Sequence, residues 1–155
     1  MQVHGLGRLI AEHPFFAGMA PEHCDLIGGC ARNVRFGPSE YLFREGEPAN
    51  EFFLIRHGRV ALEIMAPGRG PLRFLTVNTG EIVGEAWLVA PYRWIFDAQA
   101  LELTRALSIE ARCLRDKCED NHDFGYEMMR RFMAMLVQRL HAAQLQILDV
   151  YGPGA

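Results

Sequence analysis

The sequence predicts an α+β fold that is mainly β, an antiparallel sandwich or roll with helices before and after it. Three features carry this expectation. Between Val34 and Ile109, short runs rich in Val, Ile, Phe, Leu and Tyr are punctuated by glycine and proline, the texture of many short strands joined by turns. From Asp120 to Val150 there is no proline and only Gly125 interrupts helix propensity. Before the strands, residues 7–32 place apolar side chains at helical spacing around Pro14 and Pro21.

At the amino end, Leu9, Ile10 and Phe16 surround Pro14, which must start or interrupt a helix. Pro21 suits a first turn, and Leu26, Ile27, Cys30 and Ala31 follow at helical spacing. Strands are expected over Val34–Phe36, Tyr41–Arg44, Phe52–His57, Arg59–Met65, Leu72–Val77 and Asp97–Ile109. In the fourth, Val60, Leu62 and Ile64 alternate with Ala61 and Glu63, the period of a strand with one face buried. The run from Pro67 to Pro71 reads as a hairpin tip.

Glu110 to Cys118 is expected to form a short helix, and Asp120 or Asn121 to cap a second. That second helix, of about 29 residues, would extend roughly 43 Å, more than a domain of this size needs for its own core. Gly152-Pro153-Gly154 should stop it. Along it, Met129, Met133, Leu136, Leu140, Ala143, Ile147 and Val150 recur at alternating spacings of four and three, a heptad seam. These residues are therefore the expected interface of a homodimer. Phe132, Val137, Leu145 and Leu148 widen the stripe, so one face should pack on the strands. The alternative is an amphipathic helix lying only on its own domain.

With 155 residues, the chain is expected to be a single domain spanning 1–155, with helices over 7–32, strands over 34–109 and helices over 110–151. Half of the residues are hydrophobic, and the net charge of −3 has the wrong sign for a nucleic-acid partner. No apolar run approaches a membrane span, and Met1 to Arg8 lack a signal-peptide pattern, so a cytoplasmic location is expected. Cys24, Cys30, Cys113 and Cys118 lack the spacing of zinc or redox motifs and are expected to be reduced thiols acting as small hydrophobes. A redox or iron–sulfur sensor built on Cys24 and Cys30 is the competing reading. The histidines show no ligand spacing and are expected to be structural. No metal is expected. Without a nucleophile–base pair, metal spacing or P-loop, neither is catalysis.

The run Phe36-Gly37-Pro38-Ser39-Glu40-Tyr41-Leu42-Phe43-Arg44-Glu45-Gly46-Glu47-Pro48-Ala49 is followed by Phe52-Phe53-Leu54-Ile55-Arg56-His57-Gly58-Arg59-Val60 and, later, by Gly80-Glu81-Ile82-Val83-Gly84-Glu85. This pattern resembles the cyclic-nucleotide-binding domain superfamily, the sensor module of catabolite-activator-type regulators, from about His13 to Tyr151. The resemblance implies a jelly-roll β-roll, a double-stranded β-helix, followed by a dimerisation helix; since the sequence ends at Ala155, the family regulators' helix-turn-helix domain is expected to be absent. Glycines 46, 58, 80 and 84 fall at turns that need positive φ or close backbone approach.

The resemblance also implies a ligand site. Gly84, Ala86, Trp87 and Leu88 would form a turn whose N–H groups meet a cyclic phosphate, and Glu85 would accept a hydrogen bond from the ribose 2′-hydroxyl. The family's phosphate-neutralising arginine falls on Trp94, with Arg93 one place early, and bulky Ile95 and Phe96 replace small or hydroxyl residues. Arg93 could still reach the phosphate. Trp94 could instead stack on a base, or with Ile95 and Phe96 fill the pocket. Asp97 would repel an anion if it pointed inward.

The expected function is a non-enzymatic sensor that binds a small anionic ligand such as cyclic AMP or cyclic GMP. It would signal through the dimer helix to a partner protein. The alternative is a degenerate, ligand-free dimeric adaptor.

Overall fold

The computed structural model describes residues 2–151, with side chains from Leu6 onward. The expected stop at Gly152-Pro153-Gly154 lies outside the described residues. Helices α1 (Gln2–Glu12) and α2 (Pro21–Gly28), joined by a 3-10 turn at Pro14–Phe16, precede eight strands. These are β1 (Ala31–Phe36), β2 (Tyr41–Phe43), β3 (Glu51–His57), β4 (Arg59–Ala66), β5 (Gly70–Asn78), β6 (Ile82–Val83), β7 (Asp97–Ala100) and β8 (Thr104–Glu110). Helices α3 (Ala111–Asp120) and α4 (His122–Tyr151) follow.

The strands form two antiparallel four-stranded sheets, ordered β1-β8-β3-β6 and β2-β7-β4-β5. The jelly-roll expectation holds. The single strand expected over residues 97–109 is instead two, because residues 101–103 carry the chain from one sheet to the other. Between the sheets lie Phe43, Phe53, Ile55, Val60, Leu62, Val77, Val83, Trp94, Phe96 and their neighbours. On the outer face of the first sheet, Phe52, Leu54, Leu107 and Ile109 pack against Ile10, Phe16, Ile27, Leu114, Phe124, Met128 and Phe132 from the helices. A strand with cores on both faces needs apolar residues without alternation, which explains the continuous run Phe52-Phe53-Leu54-Ile55.

All four glycines singled out above, 46, 58, 80 and 84, have positive φ. Asn121 caps α4 by accepting a hydrogen bond from the Phe124 N–H at 3.1 Å. Gly125 then has a steric cause. A Cβ there would lie 2.9 Å from the Cys118 carbonyl oxygen, where α3 and α4 meet.

The cysteines depart from expectation. Cys30, just after α2, is disulfide-bonded to Cys113 in the first turn of α3, with Cα atoms 5.8 Å apart and a sequence separation of 83. Cys24 and Cys118 are free. Pairing across so long a loop is invisible to spacing rules, and the reduced-thiol expectation rested on a cytosolic setting rather than on geometry. With Cys30 held in that bond, it is not a free thiolate beside Cys24 for the iron–sulfur site of the competing reading, which also needed another cysteine.

Two histidines have structural roles. His13, buried, accepts a hydrogen bond from the Phe15 N–H and places its other ring nitrogen 3.1 Å from the Ile55 carbonyl oxygen. His23 pairs with Glu127 at 2.9 Å, tying α2 to α4.

Candidate ligand-binding site

Strand β6 ends at Val83, and Gly84, with a φ of +106°, turns the chain into a 3-10 turn at Ala86–Leu88. A Cβ on Gly84 would stand 2.6 Å from the Trp94 ring and 3.3 Å from Phe52 Cβ. Only glycine fits both the conformation and the space. Trp94 lies flat on Phe43, ring centroids 3.7 Å apart and planes within 8° of parallel. The indole therefore occupies the roll side of the Gly84 turn. Phe96 joins this aromatic group, whereas Ile95 is exposed and does not help to fill the interior.

Arg93 lies on the opposite side of the chain from Trp94. It is exposed and donates to the Gly46 carbonyl at 2.9 Å, beside the Pro48–Arg93 bridge and the Trp94–Glu47 hydrogen bond. The structure thus brings Trp94 to Gly84 and does not bring Arg93 there. Asp97 is buried, but its carboxylate accepts from the Glu45 N–H at 2.7 Å and pairs with Arg44, so its charge is already engaged. Trp87 is fully buried, stacked on Phe52 and edge-on to Phe132, which makes it a packing residue that anchors the turn.

Glu85 lines a cavity of about 120 Å³ with Leu62, Phe96, Leu136, Arg139 and Ala143. One of its carboxylate oxygens is buried without a hydrogen-bond partner. Arg139 reaches in from α4. It donates to the Ile82 carbonyl, while its Nη1 is buried with no partner. Burial pushes the Glu85 carboxyl above the usual carboxylate range, against the opposing pull of Arg139 and of a backbone N–H. Burial likewise lowers the Arg139 pKa, against Glu85 and Glu81. Both groups are held in a place that disfavours their charge, and no hydrogen bond joins them.

Sequence reasoning missed Arg139, which lies 54 positions beyond Glu85. Its signal was a charge between Leu136 and Ala143, on the stripe of α4 that faces the roll. Leu136 and Ala143 themselves line the cavity, while Met129, Met133, Leu140 and Ile147 of the expected seam are exposed.

The raised pKa of Glu85 has a sign that can be checked. Folding is favoured while the carboxyl is protonated, and that contribution is lost as pH rises from the unfolded value through the raised folded one. Replacing Glu85 by neutral Gln removes this dependence. The Tm of Glu85→Gln minus that of the parent is therefore expected to grow as pH is raised from the ordinary carboxylate range to neutral and above. Thermal melts across that range measure it.

The family model of the cyclic nucleotide-binding domain matches residues 33–121, more than half of the chain. The chain belongs to that family. Cyclic nucleotide-gated ion channel 18 of Arabidopsis thaliana is 29% identical over 151 residues, covering 94% of this chain and 20% of the channel. The CRP-like cAMP-activated global transcriptional regulator of Mycobacterium tuberculosis is 23% identical over 146 residues, covering 94% of this chain and 63% of the regulator. The chain thus spans a fifth of one relative and under two thirds of the other.

Among solved structures, a cyclic nucleotide-binding domain from Methylobacillus flagellatus KT superposes with a TM-score of 0.83 at 18% identity, over 96% of this chain and 85% of that one. The sensor domain of the transcriptional regulator DNR from Pseudomonas aeruginosa gives 0.72 at 20% identity, over 91% and 95%. At these identities the structures establish the shared fold. No helix among the described residues is long and apolar enough to cross a membrane.

Proposed function

We propose that this domain senses a small anionic ligand, a cyclic nucleotide such as cyclic AMP or cyclic GMP, and passes occupancy through α4 of a homodimer to a partner protein. One observation carries the ligand reading. Glu85 and Arg139 line one cavity, and each holds a buried polar atom without a partner. An unpaired buried polar group costs about 1–3 kcal/mol, a cost that a ligand hydroxyl on Glu85 and a ligand anion on Arg139 would remove. The M. tuberculosis relative, named for its activation by cAMP, supports this choice of ligand class.

The cavity is well below the roughly 300 Å³ at which small-ligand pockets begin. Entry of a nucleotide must therefore widen the cavity, by an outward shift of the part of α4 that carries Arg139, with Arg139 still at its wall. That displacement links the pocket to the helix. With Arg93 outside and Trp94 against Gly84, affinity is expected to be lower than where an arginine meets the phosphate.

Calorimetry with cyclic AMP and cyclic GMP tests the proposal. Binding should weaken about ten- to a hundredfold in Glu85→Ala and in Arg139→Ala. No heat from either nucleotide at high micromolar concentration, with the protein shown to be folded, overturns it. A second reading, a ligand-free dimeric adaptor, then takes its place. The packing of Trp94 into the Gly84 turn favours that reading.

A further inference from the structure

The outer face of the first sheet carries a basic cluster that neither the ligand site nor the dimer helix uses. In the register of β1 and β8, Arg35 stands directly opposite Arg105. On the other side of β8, a bulge in β3 sets His57 opposite the same Arg105 and leaves Arg56 as the extra residue. All four side chains are exposed. Arg56 also reaches across β8, its Nη1 3.4 Å from Asn33 Oδ1 on β1. Three guanidinium groups and an imidazole therefore share a band about 10 Å wide, two strand spacings.

Like charges directly opposed across a strand pair are destabilising, so this arrangement costs the isolated domain stability. The ion pairs of the described residues do not relieve it. They engage Arg32, Arg44, Arg59 and Arg131, and none includes Arg35, Arg56 or Arg105. The nearby carboxylate of Glu102 is taken by Arg59 at 2.9 Å.

We propose that this face docks an acidic segment of a partner protein, its carboxylates bridging Arg35, Arg105 and Arg56. Arginine forks match carboxylates in a bidentate way, and a short run of Asp or Glu spans a band of this width. A duplex makes a poorer occupant. A duplex contact typically neutralises about six to ten phosphates, more than three arginines can meet, whereas a short acidic run needs no more than these. The proposal is independent of whether the roll holds a nucleotide.

Fluorescence anisotropy with a labelled oligoglutamate peptide tests it on the full chain. A labelled DNA duplex and vesicles containing phosphatidylserine serve as competing probes. The peptide is expected to bind at low salt and to release as the Debye length shortens. The double variant Arg35→Ser with Arg105→Ser should bind it about tenfold or more weakly. The charge-matched variant Arg69→Ser with Arg73→Ser, on the exposed β4–β5 hairpin, should keep its affinity. If the serine variant folds poorly, Arg35→Gln with Arg105→Gln provides the same comparison. That pair should also melt no lower than the parent, because it removes the opposed charges. Absence of peptide binding overturns the proposal, as does equal weakening in both double variants or tighter binding of the duplex or the vesicles.

Discussion

Phe132→Ala is expected to cost about 3–5 kcal/mol of stability, the range for removing a large aromatic ring from a packed core. Phe132, with Phe124 and Met128, fastens α4 to the body of the domain. Its ring meets Phe15 at 5.1 Å, Phe52 at 5.2 Å and Trp87 at 5.4 Å, each edge to face. Those partners come from the amino-terminal 3-10 turn, from β3 and from the turn that follows Glu85. The cavity left behind would be lined by aromatic rings already stacked on one another, which limits collapse. For a chain of this length the Tm should fall by about 6–20 °C. Thermal unfolding followed by circular dichroism is the measurement. A fall of only a degree or two would mean that α4 is not held by this cluster.

Met133→Glu combined with Leu140→Glu is expected to convert a dimer into a monomer without unfolding it. Both residues lie on α4 one heptad apart, and both are more than half exposed in the single chain. Val137, between them in sequence, and Ile147 beyond are exposed as well. In a helix-to-helix interface each such side chain contributes about 1.5–3 kcal/mol on full burial. Four carboxylates per dimer at those positions should therefore raise the dissociation constant by at least about a thousandfold. Sedimentation velocity at tens of micromolar, with a melt to show an intact fold, reads the outcome. A parent protein that sediments as a monomer refutes the dimer. Leu136 and Ala143 are poor choices for this test, although they belong to the same heptad pattern. They line the cavity beside Glu85, so changing them would perturb the roll as well.

The local elements were legible in the sequence because each is set by short-range periodicity. The proline at the start of α2, the hairpin tip between β4 and β5, and the unbroken run of α4 all act over fewer than eight residues or repeat over each turn, whereas the alternation expected in β4 breaks at a bulge after Leu62 that buries Glu63 and exposes Ile64. The four turn glycines were legible for the same reason, since φ is a property of one residue. The motif singled out Gly84 and Glu85, where the structure has a positive-φ turn and a carboxylate lining a cavity.

What the tertiary structure decided are pairings between segments far apart in the chain. Cys30 meets Cys113 because α2 and α3 pack on the same face of one sheet. Arg139 joins Glu85 because α4 runs back across the mouth of the roll, a course that its heptads do not reveal. Trp94, rather than Arg93, reaches Gly84 because successive side chains of an extended segment point to opposite sides, and the bridge to Pro48 fixes which side is inward. Composition is indifferent to a shift of one residue in that segment. The electrostatics of the pocket are not.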